Sequence, residues 1–240
     1  MKNIIIIGAT SGIGKTLAEL YAKTEAKIAI VGRREDKLRE IAITCKDKYI
    51  YKVCDIMDTS ILMSVLDDIA NQLSSIDLII ISAGTGELNP ELIYQLEEPT
   101  LKTNVLGWTC TVDWSMKQFE KQRFGHLVSI SSVGGLRGSA TAPAYNAAKA
   151  FQINYIEGMR QKANKLSERI FITDIRPGFV DTAMAKGDGL FWIAPVEKAG
   201  KQIFIAIERK QKIAYISRRW RFMAFILKHI PLFIYSKMNS

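Results

Sequence analysis

The sequence predicts an α/β fold: a doubly wound, mainly parallel sheet of seven strands with helices on both faces. Three observations predict it. Short apolar runs recur along the 240 residues, and most are continuous rather than alternating, as in strands covered on both faces. Stretches with helical patterning separate them, and this strand–helix–strand repetition implies parallel pairing through right-handed crossovers. The first apolar run leads at once into a glycine-rich turn and a helical pattern.

In chain order, strands are expected at Ile4–Ile7, Lys27–Val31, Tyr49–Val53, Leu78–Ile81, His126–Ile130, Ile170–Ile175 and Lys212–Ile216. Helices are expected between them, at Gly14–Lys23, Glu35–Thr44, Thr59–Leu73, Pro99–Gln122, Ala144–Leu166 and Pro195–Glu208. The opening run is too short for the apolar region of a signal peptide and lacks a small-residue cleavage site, so it reads as a buried first strand. No repeat, low-complexity segment or Gly/Ser linker interrupts the pattern. One domain is expected over residues 1–217, with residues 218–240 as a basic, apolar appendage.

Composition agrees. Hydrophobic residues make up 48%, enough for a large core, and charged residues make up 24%, too few for wholesale disorder. The three cysteines, Cys45, Cys54 and Cys110, form no disulfide framework and no CxxC metal pair. They read as reduced thiols, which places the chain in the cytoplasm, and no metal is expected. The net charge of +9 is unevenly placed. From Arg209 onward there are eight basic and no acidic residues, whereas the first 208 residues carry 25 basic against 24 acidic.

The first strand ends in Gly8-Ala9-Thr10-Ser11-Gly12-Ile13-Gly14. Glycines let the chain turn tightly and let its backbone approach a pyrophosphate, and the helix N-terminus then offers free N–H groups and a positive dipole end. The second strand ends Gly32-Arg33-Arg34, without the acidic residue that would bind a ribose 2′-hydroxyl. Arg33, with Arg34 beside it, offers planar cations to a 2′-phosphate, which favours NADP(H) and leaves NAD(H) open. Asp55, followed by Ile56, closes the third strand; it either accepts from an adenine amino group or caps the helix beginning near Thr59. Ser82-Ala83-Gly84 closes the fourth strand with side chains small enough to leave room for a ribose and nicotinamide.

The fifth strand ends Ser129-Ile130-Ser131-Ser132, and Tyr145-Asn146-Ala147-Ala148-Lys149 opens a helix. Tyr and Lys four apart share a helix face. An ammonium beside a phenol lowers the phenol's pKa toward working pH, so that Tyr145 can give a proton to a carbonyl or take one from an alcohol. A strand-end Ser132 can hold the substrate oxygen.

With these pieces in this order, the chain resembles the short-chain dehydrogenase/reductase family in its compact single-domain branch, from about Asn3 to Ile216. The resemblance is carried by the glycine turn, Asp55, Ser82-Ala83-Gly84, Asn104, Ser132, Tyr145-x-x-x-Lys149 and Pro177-Gly178-Phe179-Val180-Asp181-Thr182. It implies a Rossmann-type sheet and an NAD(P)-dependent enzyme interconverting carbonyl and alcohol. It implies that Tyr145 is the acid/base, that Lys149 tunes it and holds the nicotinamide ribose, and that Ser132 polarises the carbonyl. Asn104 would hold a water linking Lys149 to solvent. Pro177, Gly178 and Val180 would line the nicotinamide, and Thr182 would meet its carboxamide or a phosphate. A homodimer or homotetramer is implied as well. Two positions depart from the family's habit: Ser82 stands where Asn is common, and Ser11 where many NADP members carry a cation.

Two segments bear on substrate and partners. Residues 183–193 sit where family members carry a substrate-covering loop, and Met184, Leu190, Phe191 and Trp192 there suggest an apolar lid over an apolar alcohol or ketone. The tail's longest apolar run, Phe222–Leu227, is too short to span a bilayer. Mixed with cations, residues 218–236 suit peripheral contact with the inner face of a membrane, a partner subunit, or the substrate pocket. Nucleic acid is a poorer fit, because the aromatic residues lie within an aliphatic run. The competing functional classes are a nucleotide-binding sensor and a membrane-associated scaffold, each with little turnover.

Overall fold

The computed structural model describes residues 1–166, 169–184, 191–217 and 219–238. Seven strands form one sheet: β1 (Lys2–Ile7), β2 (Ala26–Gly32), β3 (Tyr49–Val53), β4 (Leu78–Ile81), β5 (Phe124–Ile130), β6 (Arg169–Pro177) and β7 (Ile213–Ile216). Their order is β3-β2-β1-β4-β5-β6-β7, and every pair is parallel. The order reverses between β1 and β4, so the crevice at their carboxyl ends is the point where such sheets bind ligands.

The helices are α1 (Gly12–Ala22), α2 (Glu35–Ala42), α3 (Thr59–Leu73), α4 (Tyr94–Leu101), α5 (Trp108–Gln122), α6 (Pro143–Lys165), α7 (Val196–Glu208), α8 (Arg219–His229) and α9 (Leu232–Tyr235). The two-residue strand period divides them between the faces. Ile4 and Ile6 of β1, with Ile28 and Ile30 of β2, point to α1, α2 and α7, where Leu17, Leu38 and Ile203 cover them. Ile5, Ile7, Ala29 and Val31 point the other way, onto α3, α5 and α6, where Leu66, Trp108 and Ile156 cover them. Both faces of β1 and β2 are dry, which is why these strands read as unbroken apolar runs.

One helix differs from the sequence expectation. The helix expected from Pro99 begins at Tyr94, and Pro99 lies inside α4. Proline favours the first turn of a helix because it lacks an N–H; here the chain tolerates the missing bond, and a π-helical stretch, Lys102–Gly107, follows before α5. Such stretches are frequent at functional sites, and this one carries Asn104. The tail also packs onto the body. Trp220 and Ala224 of α8 are buried. Arg137 donates from Nε to the Leu227 carbonyl at 2.6 Å and from its terminal nitrogen to the Ile230 carbonyl, and the Tyr235 hydroxyl donates to the Gly138 carbonyl. Arg218 lies outside the described residues.

Candidate active site at the strand tips

The glycine turn is held by close approach. Gly8 has φ +87°, and a Cβ there would lie 2.4 Å from the Ala83 nitrogen. A Cβ on Gly14 would lie 2.1 Å from the Gly8 carbonyl oxygen. Neither position admits a side chain without moving backbone, so α1 starts directly beneath the tip of β1 with its first N–H groups facing out of the turn. Ile13 packs on the core and Thr182 lies against Gly12. Ser82 donates its backbone N–H to the Ile7 carbonyl at 2.8 Å, which carries the sheet one residue beyond β4 without any side-chain bond.

The cations after β2 gather at the mouth of this turn. Arg34 donates to Thr10 Oγ1 at 2.7 Å and to Ser11 Oγ at 2.8 Å. Arg33 lies 3.5 Å from Asp55 Oδ2. Asp55 is not the cap of α3: Asp58 is, accepting from the Ile61 N–H, while Asp55 accepts from the Met57 N–H. Ile56 is buried with its carbonyl against Gly107. The set therefore presents free N–H groups, hydroxyls and two guanidiniums on one rim, a donor set suited to phosphates.

Across the sheet, Ser132, Tyr145 and Lys149 come together. Ser132 Oγ accepts the Gly134 N–H at 3.0 Å, which leaves the hydroxyl hydrogen free to point elsewhere. Tyr145 packs against Gly86, where a Cβ would meet its ring at 2.4 Å. Burial pushes the Tyr145 phenol above its ordinary value, and the hydroxyl of Ser132 opposes this. The sequence expectation was a phenol lowered by Lys149. The structure differs because Lys149 Nζ donates to the Ile130 carbonyl at 2.9 Å and to Gln152 Oε1 at 3.0 Å, and sits 5.8 Å from the centre of the Tyr145 ring. Lys149 is itself almost fully buried, and desolvation pulls it down to about 8, with Asp174 opposing.

Asn104 sits beside this group. Its side chain accepts from the Thr85 N–H at 2.9 Å and donates to the Thr85 carbonyl at 2.6 Å, so it clamps the strand-tip loop after β4. Its own carbonyl accepts from Gln152 Nε2 at 2.8 Å. Gln152, fully buried, thus joins Asn104 to Lys149 through two direct bonds. Sequence reading missed Gln152. The available signal was a polar residue at the third position after Lys149, on the face that buries Ile156. Gly84 lies beside both Asn104 Oδ1 and Lys149 Nζ.

A second missed group braces the strand tips from below. Asp174, fully buried on β6, accepts from Ser131 Oγ at 2.5 Å and from Arg176 Nε at 2.6 Å. Ser131 precedes Ser132 and Arg176 precedes Pro177, so this buried pair fixes the ends of β5 and β6 relative to each other. Trp220 lies on Gly178, where a Cβ would fall 2.0 Å from the indole, so the tail covers one of the residues expected to line the nicotinamide. Phe179, Phe191 and Trp220 form an aromatic group with centroids 5.2–5.9 Å apart. Trp220 Nε1 is buried and has no acceptor among the described residues. Val180 pairs with Ala194 across the base of the expected lid. Residues 185–190 of that lid, Leu190 included, lie outside the described residues.

Known proteins resemble this chain over the same span. A family model, short chain dehydrogenase, matches residues 2–189. An uncharacterized oxidoreductase of Staphylococcus epidermidis is 29% identical over 190 residues, covering 78% of this chain and 81% of that protein. The crystal structure of a short-chain dehydrogenase from Streptomyces avermitilis superposes with a TM-score of 0.82 at 20% identity, covering 95% and 91% of the two chains. ElxO, solved with NADP bound, does so at 0.78 and 21%, covering 90% and 96%. The glycine turn, the parallel sheet order and the match along most of the chain lead to one assignment: the protein belongs to the short chain dehydrogenase family of oxidoreductases.

Proposed function

We propose that the protein is an NADP(H)-preferring oxidoreductase that interconverts a carbonyl and an alcohol on an apolar substrate. The observation that carries the cofactor preference is the pair of guanidiniums at the tip of β2. Arg34 is already drawn onto Thr10 and Ser11 of the turn, and Arg33 stands beside Asp55. The β2 tip itself offers no carboxylate to a ribose 2′-hydroxyl. The close-packed turn of Gly8 and Gly14, where a Cβ would strike the backbone of Ala83 or of Gly8, starts α1 at the tip of β1 and so turns its N-terminus toward a pyrophosphate.

When bound, the nicotinamide supplies or takes up hydride at the substrate carbon. The chain supplies the rest. Tyr145 exchanges the proton at its Oη, and a phenol raised by burial is a stable proton donor at neutral pH. Ser132, its Oγ lone pair engaged by Gly134, turns its hydrogen to the substrate oxygen. Lys149, fixed by Ile130 and Gln152, keeps a positive charge near the phenol for the moment the proton leaves. Phe179, Phe191 and Trp220 offer an apolar wall.

Titration with NADPH and NADH, followed by tryptophan quenching, tests the cofactor reading. Tight NADPH with weak NADH is the expected result. Preference for NADH would overturn the role of Arg33 and Arg34 and leave the enzyme class standing.

A further inference from the structure

We propose that the outward face of α8 and α9 is a docking surface for an anionic lipid bilayer, lying in the interface and not crossing it. The tail has two faces of different kind. Trp220 and Ala224 are buried one turn apart, and the carbonyls of Leu227 and Ile230 are held by Arg137. These residues fix the inner face of α8 to the body. Phe222, Phe225 and His229 recur at helical spacing on the opposite side, and Phe222 and Phe225 are 65% and 61% exposed. In α9, Leu232 and Phe233 are 71% and 68% exposed. Exposed aromatic side chains on a segment already tied down serve no purpose in packing the body.

Charge identifies the occupant. Arg219 and Arg221, both exposed, and Lys228 flank the outward Phe222 and Phe225, and no acidic residue follows Glu208. A second copy of this chain placed on the surface by two-fold symmetry would set these cations against themselves, which is unfavourable. An anionic headgroup layer meets the cations and lets the aromatic side chains sit at the acyl boundary. Among the described residues no helix is long and apolar enough to cross a membrane, as a surface-lying segment requires. Because Arg137 and Tyr235 tie the tail to the segment between Ser132 and Tyr145, docking would bring the substrate side of the site to the bilayer. That last step rests on the oxidoreductase reading above, and the docking itself does not.

Vesicle sedimentation of the full chain tests the proposal without any turnover assay. Vesicles of phosphatidylcholine with phosphatidylglycerol should pellet the protein at low salt, at least about fivefold more than phosphatidylcholine alone, and high salt should weaken this. The variant Phe222→Ser/Phe225→Ser should lose most of the binding while keeping wild-type nucleotide quenching, which shows that it is folded. Wild-type protein that stays in the supernatant with both vesicles, or a variant that pellets equally, would overturn the proposal. Light scattering that finds a dimer abolished by the same variant, with no pelleting, would also overturn it and assign the face to a second copy.

Discussion

At the tips of β1 and β2 the molecule offers backbone and solvent-exposed cations; at the tips of β4, β5 and β6 it offers buried polar side chains that satisfy one another. The first region works by what is missing, the Cβ atoms of Gly8 and Gly14, and by exposed guanidiniums that bond to hydroxyls and lie beside Asp55. The second works by a closed chain of bonds running from Thr85 through Asn104 and Gln152 to Lys149 and Ile130. The difference teaches where each region is sensitive. An exposed cation can be removed at the expense of its ligand alone. A buried bonded group takes its neighbours with it.

Four measurements would break or sharpen this contrast. The largest effect is expected from Tyr145→Phe, which removes one oxygen. Turnover should fall on the order of a thousandfold, with NADPH quenching unchanged. Retained turnover would remove Tyr145 from the chemistry. Arg33→Ala comes next: NADPH affinity should drop about ten- to a hundredfold and NADH affinity should hold, since a charge-assisted contact is worth roughly 1.5–3 kcal/mol. If both nucleotides weaken equally, Arg33 supports the fold of the rim and not a phosphate. Gln152→Leu should lower kcat about tenfold with little change in nucleotide binding, because it leaves the Lys149 ammonium and the Asn104 carbonyl each short of a partner. It should also move the alkaline limb of the pH–rate profile to lower pH, and Gln152→Glu should move it the other way. A leucine variant with an unshifted profile would reduce Gln152 to packing.

The fourth measurement is of stability. Burial lowers Lys149 to about 8 from its ordinary 10.5. Between those values the unfolded chain holds the extra proton, so Lys149 makes the protein more stable as pH rises through that window, and its cost is fully present below about 8. Denaturant midpoints of the nucleotide-free wild type and Lys149→Met should therefore converge as pH rises across the window. Parallel curves would show that Lys149 titrates normally.

The contrast also explains what could be read from the sequence. The cradle is local: three glycines, a strand before and a helix after lie within Lys2–Ala22, and their spacing carries the physics. Tyr145 and Lys149 are likewise one helical turn apart. The bonds that position Lys149 are not local. Gln152 meets Asn104 across 48 residues, and Asp174 meets Ser131 across 43. In sequence each is one polar residue among apolar ones, with nothing to name its partner. The start of α4 was misplaced for a different reason. Proline usually marks a first turn, and tertiary packing here outweighs that preference. The inner face of the tail was illegible because the residue that receives Trp220 is a glycine, whose significance lies in the space above it.

That indole resting on Gly178 orders events in time as well as in space. Every residue of the phosphate cradle and of the proton site is synthesised before Trp220. The cover over Gly178 is the last part of the site along the chain, and a chain ended before α8 would carry Tyr145 and Lys149 with Gly178 open to water.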